Sequence, residues 1–215
     1  MTGLIVFDLD GTLIDSHLDI ANAANALVVA LGGRRLSEQA VVAMVGEGAA
    51  LLVRRALEAA GLDPSTPGTL DRFLALYADR LLEHTAVYPG TEPMLDRAGA
   101  HAPLAVLTNK PQRHTDTILR GLGLADRFTA VIGGDTAFGR KPDPAALQHL
   151  ASGAGVAAAD ALMVGDSPID LHTARAAGTR ICLVRYGFGF RFGPDAFRGD
   201  ECFADSPAEI LAALT

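Results

Sequence analysis

Asp8 and Asp10 are two carboxylates placed two residues apart, directly after the apolar run "LIVF". Like charges at such short spacing repel each other unless a cation or a proton stabilises them. The ordinary alternative is a turn that follows a strand, because Asp and Gly are common turn residues. The stretch therefore indicates either a simple turn or a carboxylate site that holds a cation.

The other residues suited to such chemistry also follow apolar runs. They are Thr108 and Asn109 in "PLAVLTNK", Lys141 in "GRKPDP", and Asp166 and Asp170 in "ALMVGDSPID". Because ligands bind at the carboxyl ends of the strands in a parallel sheet, we expect these side chains to converge on the two N-terminal aspartates. Carboxylates suit a divalent cation, whereas hydroxyl, amide and ammonium groups suit a phosphoryl group. The set predicts phosphoryl transfer.

The elements that must position these residues are visible in the hydrophobic pattern. After residue 86, the short apolar runs "PLAVLT", "FTAVIGG", "ALMVGD" and "RICLVRY" alternate with helical segments near 91–100, 111–121, 143–154 and 168–177. This alternation predicts an α/β fold, with a parallel sheet and helices on both of its faces. Residues 17–84 contain helical patterns alone, which predicts a helical insertion over the carboxyl edge of the sheet.

Length and composition restrict the class of protein. A chain of 215 residues with 49% hydrophobic and 20% charged residues is typical of a globular protein with one core domain and a smaller second one. The net charge of -7 argues against nucleic-acid binding, which requires basic surfaces. No apolar run approaches the roughly 20 residues of a membrane span. With only Cys182 and Cys202 and no basic leader, a cytoplasmic location is expected.

Four separated motifs carry a family resemblance. "DLDGT", "LTN", "KP" and "VGDSPID", in this order and spacing, resemble the motifs of the haloacid dehalogenase superfamily. The resemblance covers essentially the whole chain. It implies a Rossmann-like core of residues 1–13 and 85–215, with an all-α cap inserted at residues 14–84. More narrowly, "MVGEGAALLVRRAL", "VLTNKP" and "VIGGD" resemble phosphoglycolate phosphatases.

The resemblance implies roles for the acidic residues. Asp8 would be the nucleophile that forms an aspartyl-phosphate, and Asp10 would be the general acid and then the general base. The metal ligands would be Asp8, the main-chain carbonyl of Asp10, and Asp166, with Mg²⁺ as the cofactor. Dehalogenases of the superfamily lack an aspartate at the position of Asp10, so its presence favours phosphate chemistry.

The same resemblance implies a phosphate-binding set. Gly11 would offer backbone N–H groups, Thr108 and Asn109 would donate hydrogen bonds to phosphoryl oxygens, and Lys141 would neutralise phosphate charge. Asp170 would support Lys141 or the metal from outside the ligand set. Each residue has an ordinary alternative as a turn glycine, a helix cap or a surface charge.

The implied reaction is hydrolysis of a small phosphorylated metabolite, 2-phosphoglycolate, to glycolate and phosphate. Its carboxylate end would be bound by the helix start at residues 46–48 or by Arg54, Arg113 or Arg185. A phosphatase acting on sugar phosphates and a mutase similar to beta-phosphoglucomutase remain alternatives. A phosphorylation switch like a receiver domain is disfavoured, because Asp10 would hasten loss of the phosphoryl group. The oligomeric state is left open.

Overall fold

The computed structural model describes residues 2–214, so the first and last residues of the predicted core lie outside it. A six-stranded parallel sheet forms the centre of the molecule. Its strands are β1 (Leu4–Phe7), β4 (Leu104–Leu107), β5 (Ala130–Ile132), β6 (Ala161–Gly165), β7 (Arg180–Val184) and β8 (Cys202–Ala204). The spatial order is β5-β4-β1-β6-β7-β8, and every pair is parallel. The predicted α/β class is confirmed.

The register of β1 brings the strand ends to one level. Phe7 pairs with Val106 of β4 on one side and with Val164 of β6 on the other. The residues that follow these strands therefore emerge at the same edge of the sheet. Asp8 extends the pairing by donating its N–H to the carbonyl of Val164 at 2.8 Å.

Helices cover both faces of the sheet, because alternate strand residues point in opposite directions. Ile5 and Phe7 belong to one hydrophobic cluster, and Leu4 and Val6 belong to the other. The helices that pack around the sheet are α5 (Thr91–Gly99), α6 (Gln112–Gly121), α7 (Ala145–Gly153) and α8 (Pro168–Ala177). Burial on both faces explains why β1 is apolar at every position.

A helical segment lies between two short strands, β2 (Ile14–Asp15) and β3 (Ala86–Val87), which pair as an antiparallel ribbon. It contains α1 (His17–Ala30), α2 (Glu38–Val42), α3 (Ala49–Ala59) and α4 (Thr69–Ala78). Helix α1 packs against the other three. Leu27, Leu57 and Phe73 are buried in the hydrophobic cluster that extends into this segment.

Three features differ from the pattern read in the sequence. Helix α4 ends at Ala78 and not near residue 84. The chain continues in turns over residues 79–83, after which the N–H groups of His84 and Thr85 donate to the carboxylate of Asp19. The ribbon and β8 were not predicted, since strands of two or three residues carry almost no periodicity. The C-terminal stretch Pro207–Leu214 forms a 3₁₀ helix. Among residues 2–214, every helix is too short or too polar to cross a lipid bilayer.

Candidate active site

Asp8 and Lys141 form a buried ion pair at the end of β1. The Lys141 ammonium lies 2.9 Å from Asp8 Oδ1 and 2.6 Å from Asp170 Oδ1. Only 8% of Asp8 is exposed. Burial, together with the charge of Asp170, raises the pKa of Asp8 to about 6, although the lysine acts in the opposite direction. One ammonium thus serves two buried carboxylates that would otherwise repel each other.

Asp170 is fixed by the start of α8. Its Oδ2 accepts hydrogen bonds from the Ser167 N–H at 3.0 Å and from the Ser167 hydroxyl at 2.6 Å, while the serine oxygen accepts the Asp170 N–H. This reciprocal arrangement is a capping box. Because Lys141 takes the other oxygen, both oxygens of Asp170 are already engaged. The geometry is therefore that of a residue that orients Lys141.

Asp166 follows β6 and is enclosed by glycines. Its Oδ2 accepts the Gly189 N–H at 2.7 Å. A Cβ on Gly11, Gly187 or Gly189 would lie 2.1, 2.4 or 2.8 Å from that oxygen. Gly11 also has a φ of +83°, which side-chain-bearing residues rarely adopt. Burial, followed by the charges of Asp170 and Asp8, raises the pKa of Asp166 well above its usual value.

These carboxylates could hold a divalent cation. Oxygens of Asp8, Asp166 and Asp170 lie within 4.8 Å of one another. Because Lys141 and Ser167 engage both oxygens of Asp170, Asp8 and Asp166 are the two carboxylates available as ligands. All three residues are buried, and hard cations prefer oxygen ligands. The mutual repulsion of Asp8 and Asp166 is what a bound cation would relieve. The residues present therefore fit a metal ion.

The Asp10 carboxylate is held by two residues from other parts of the chain, Ser16 and Lys110. Its Oδ1 accepts the Ser16 hydroxyl at 2.5 Å, and the Lys110 ammonium lies 2.7 and 2.8 Å from its two oxygens. Lys110 also lies 2.7 Å from the hydroxyl of Tyr77 on α4. Although burial opposes it, the charges of Asp10 and Tyr77 raise the pKa of Lys110. Lys110 was not predicted as a site residue, although it directly follows Asn109 in "LTNK".

Thr108 and Asn109 lie at the carboxyl end of β4, as predicted. Thr108 is buried, and its hydroxyl accepts the main-chain N–H of Lys110 at 3.2 Å. The Asn109 amide donates to the carbonyl of Gly46 at 2.9 Å and to that of Lys141 at 3.0 Å. Its two side-chain N–H groups are thus engaged with main-chain carbonyls. Asn109 joins the helical segment, through Gly46, to the loop that carries Lys141.

A cleft of about 270 Å³ lies between the sheet edge and the helical segment. Its floor includes Asp8, Asp10, Thr108 and Asp166, and its opposite wall comes from α3, α4 and residues 46–48. A cavity near the lower end of the usual range for ligand sites suits a small molecule.

The arginines of the cleft differ from those considered in the sequence. Arg55 and Arg191 line it, whereas Arg54, Arg113 and Arg185 do not. Arg54 bonds to Glu58 at 3.1 Å, and Arg185 to Asp205 at 3.2 Å. Arg113 is exposed on α6. Adjacent helical residues point about 100° apart, so a shift of one residue decides which arginine of α3 faces the cleft.

Comparisons with known proteins agree with this fold and site. Residues 5–184 match the family of haloacid dehalogenase-like hydrolases. A protein of Rhodospirillum rubrum named phosphoglycolate phosphatase is 46% identical over 196 residues, which cover 87% of this chain and 81% of that protein. A plasmid-encoded phosphoglycolate phosphatase of Cupriavidus necator is 39% identical over 216 residues, covering 98% of this chain and 92% of that protein.

A solved structure from Haemophilus somnus, described as a predicted phosphoglycolate phosphatase, has a TM-score of 0.90. It is 31% identical in sequence, and the alignment covers 99% of this chain and 97% of that one. The family match and these relatives thus define the class of protein as a hydrolase. The chain belongs to the haloacid dehalogenase-like hydrolases, which confirms the predicted superfamily and the predicted phosphatase class of enzyme.

Proposed function

We propose that the protein is a Mg²⁺-dependent phosphatase that hydrolyses 2-phosphoglycolate to glycolate and phosphate. The observation that carries the proposal is the Asp8 carboxylate, ion-paired with Lys141 and lying beside Asp166 at the floor of a small cleft. The names of the relatives from Rhodospirillum rubrum and Cupriavidus necator support the choice of substrate.

Asp8 is the nucleophile in this proposal. A carboxylate oxygen of Asp8 forms a bond to phosphorus while the bond from phosphorus to the ester oxygen breaks, and Asp10 gives its proton to that oxygen. In the second step, Asp10 takes a proton from water as the water oxygen bonds to phosphorus. The bond between phosphorus and Asp8 breaks, which releases phosphate and restores the carboxylate.

Mg²⁺ would be held by Asp8, Asp166 and the main-chain carbonyl of Asp10, and it would supply positive charge to the phosphoryl oxygens. Lys141 adds a second positive charge and keeps Asp8 ionised, while Asp170 orients Lys141. The carboxylates of Asp8 and Asp166, both buried and close together, favour this assignment.

The phosphoryl oxygens are bound by hydrogen-bond donors around the metal. Thr108 contributes its hydroxyl, and Asn109 contributes its main-chain N–H at the end of β4. The Gly11 N–H itself donates to the carbonyl of Ile14 at 2.9 Å. The part of Gly11 is therefore to let the turn after β1 pass close to Asp166, where no side chain fits. The Asn109 side chain instead joins Gly46 to Lys141.

Residues 14–84 form a cap over a core of residues 1–13 and 85–215 in this proposal. The cap and the core are joined by the β2–β3 ribbon and meet across the cleft, where Asn109 contacts Gly46 and Lys110 contacts Tyr77. A cap of this kind excludes water from the aspartyl-phosphate while the substrate is bound.

The carboxylate of the substrate binds on the cap side of the cleft. The candidates that line the cleft are the helix start at residues 46–48, Arg55 and Arg191. Arg55 is paired with Glu47 at 2.6 Å, so it would exchange that partner for the substrate. We also propose a cytoplasmic enzyme, since Cys182 and Cys202 are both free thiols.

The test is phosphate release with Mg²⁺ from phosphoglycolate, ethyl phosphate and a panel of sugar phosphates. A charge-assisted hydrogen bond to the carboxylate gives phosphoglycolate a kcat/KM about ten- to a hundredfold above that of ethyl phosphate. Asp8→Asn abolishes turnover, because an amide is a poor nucleophile. Equal values for the two esters contradict carboxylate recognition. Isomerisation of a glucose phosphate without phosphate release identifies a mutase.

A further inference from the structure

Lys110 is a buried cation that none of the steps above uses. Its side chain is only 3% exposed. Burying an ammonium is costly unless the charge is paired and hydrogen-bonded, so its partners indicate what it does. Its contacts are with two carboxylate oxygens and one phenol oxygen, which together match the three N–H donors of an ammonium.

The partners of Lys110 come from both sides of the cleft. Asp10 follows β1 in the core, whereas Tyr77 belongs to α4 of the helical segment. Tyr77 is itself fixed, since its ring stacks on Phe73 at 5.9 Å and lies 5.6 Å from the His114 ring. The Lys110 ammonium also lies 4.8 Å from the centre of the Tyr77 ring. Lys110 thus links a well-packed residue of the helical segment to the Asp10 carboxylate.

The Asp10 carboxylate is fixed from two directions, by Lys110 and by Ser16. Proton transfer requires the carboxylate to lie about 2.6–3.2 Å from the atom that gains or loses the proton. Small displacements of such a group cost a large part of the rate. A contact that fixes both oxygens of Asp10 therefore controls its use in both steps.

We propose that Lys110 is the positioning residue for Asp10, and that Tyr77 makes this positioning depend on contact between the helical segment and the core. The proposal rests on the proposed function, because Asp10 needs positioning only if it transfers protons. Lys110 itself touches neither the phosphoryl group nor the leaving group in this assignment.

The two proton transfers can be separated by the choice of substrate. p-Nitrophenyl phosphate releases a weakly basic phenolate, so this leaving group needs little protonation when the phosphoryl group is transferred to Asp8. Hydrolysis of the aspartyl-phosphate still requires Asp10 to take a proton from water. Loss of Asp10 positioning therefore leaves the first step with this substrate nearly intact and slows the second, so that the phosphorylated enzyme accumulates.

The experiment compares the wild type with Lys110→Met, Tyr77→Phe and Asp10→Asn, using acid-quenched phosphoenzyme and the burst of p-nitrophenolate. Arg120→Met, an exposed residue on α6, is the matched control and keeps wild-type kinetics. Lys110→Met lowers kcat for phosphoglycolate roughly 100-fold or more, with a much smaller change in KM. With p-nitrophenyl phosphate it gives a burst and stored phosphoenzyme, as Asp10→Asn does. Tyr77→Phe shows the same pattern, with kcat for phosphoglycolate lowered about five- to tenfold.

Three results overturn the proposal. The first is near-normal turnover in Lys110→Met. The second is slow turnover of Lys110→Met without accumulation of phosphoenzyme, under conditions in which Asp10→Asn does accumulate it. The third is a rise in KM for phosphoglycolate but not for p-nitrophenyl phosphate, which makes Lys110 a ligand of the substrate carboxylate. If Lys110→Met does not fold, Tyr77→Phe decides by the same readouts. A wild type that never forms phosphoenzyme contradicts the proposed function instead.

Discussion

At the scale of single residues, the site depends on how closely charged groups and backbone approach one another. Lys141 lies between the buried carboxylates of Asp8 and Asp170. Glycines surround the carboxylate of Asp166. Gly187 lies close to both backbone and side chain, because a Cβ there would lie 2.2 Å from the Gly11 carbonyl oxygen and 2.4 Å from Asp166 Oδ2. The absence of a side chain at Gly187 is therefore what allows Asp166 to lie beside Asp8.

Gly187→Ala is expected to displace the Asp166 carboxylate and to weaken Mg²⁺ binding about tenfold or more. Overpacking of this kind costs about 1–3 kcal/mol, part of which appears as lost metal affinity. The measurement is the Mg²⁺ concentration that gives half-maximal phosphatase activity. Gly153→Ala is the control, since a Cβ there meets nothing within 4 Å. A lower Tm with an unchanged Mg²⁺ dependence would show that Gly187 affects packing alone.

At the scale of elements, one buried carboxylate, that of Asp19, holds the two ends of the helical segment together. Asp19, in the first turn of α1, accepts the N–H groups of His84 and Thr85 and the Thr85 hydroxyl at 2.8–3.1 Å. These contacts hold the chain that leaves α4 against the chain that enters α1. Although burial opposes it, the hydrogen bonds lower the pKa of Asp19.

Asp19→Asn is expected to destabilise the fold by about 1–3 kcal/mol, because the amide loses the charge and offers one acceptor oxygen instead of two. For a chain of this length, Tm falls by about 2–4 °C for each kcal/mol. Since the folded-state pKa of Asp19 is lowered, its contribution is complete above the usual value of 3.8 and is lost as the pH falls through the folded-state value.

Thermal unfolding of wild type and Asp19→Asn between pH 7 and pH 3 checks this expectation. The difference in stability between the two proteins is present at pH 5 and shrinks below about pH 4. Asp200→Asn, an exposed loop residue, changes stability by less than about 0.5 kcal/mol and is the control. An Asp19→Asn protein as stable as the wild type at neutral pH would remove this carboxylate from the attachment of the segment.

The elements of the core were predictable, and the short connecting ones were not. The runs that became β4, β6 and β7 are buried on both faces, so they appear in the sequence as continuous apolar stretches. The ribbon of β2 and β3 has two residues in each strand, and its pairing depends on two segments more than 70 residues apart. No local pattern specifies such a pairing.

At the scale of the whole molecule, the fold brings three buried acidic groups together at one edge of the sheet. The chain has a net charge of -7, and Asp8, Asp166 and Asp170 lie buried within a few ångströms of one another. Within residues 2–214, Lys141 is the one cation in contact with Asp8 and Asp170. Bringing like charges together in this way destabilises the folded state. A cation bound at this edge of the sheet would therefore also stabilise the folded protein.

Mg²⁺ is expected to raise the stability of the folded protein, because the unfolded chain has no assembled site. At a free concentration about 100 times Kd, the stabilisation is about 2.7 kcal/mol, which corresponds to a rise in Tm of about 5–11 °C. Chelator reverses the rise and stops phosphate release. In Asp166→Asn, the rise in Tm on adding Mg²⁺ is smaller than in the wild type. The same titration with Ca²⁺ provides a comparison ion. An unchanged Tm across a full Mg²⁺ titration contradicts metal binding at this site.

The sequence by itself determined the class of fold and the side chains available for chemistry. Asp8, Asp10, Thr108 and Asp166 each follow a buried apolar run, and parallel strands place the residues after such runs at one edge of the sheet. This inference needs no knowledge of distant contacts, because strand direction and hydrophobic period are local properties of the chain.

Only the tertiary structure decided which long-range partners those residues have. Lys110 lies 100 residues from Asp10 and 33 from Tyr77, and nothing local distinguishes it from a surface lysine. The choice of Arg55 over Arg54 depends on the rotation of α3, which packing against α1 and α4 sets. Partners of this kind follow from the way helices and strands pack in three dimensions. Local sequence specifies the elements, and their packing specifies the contacts between them.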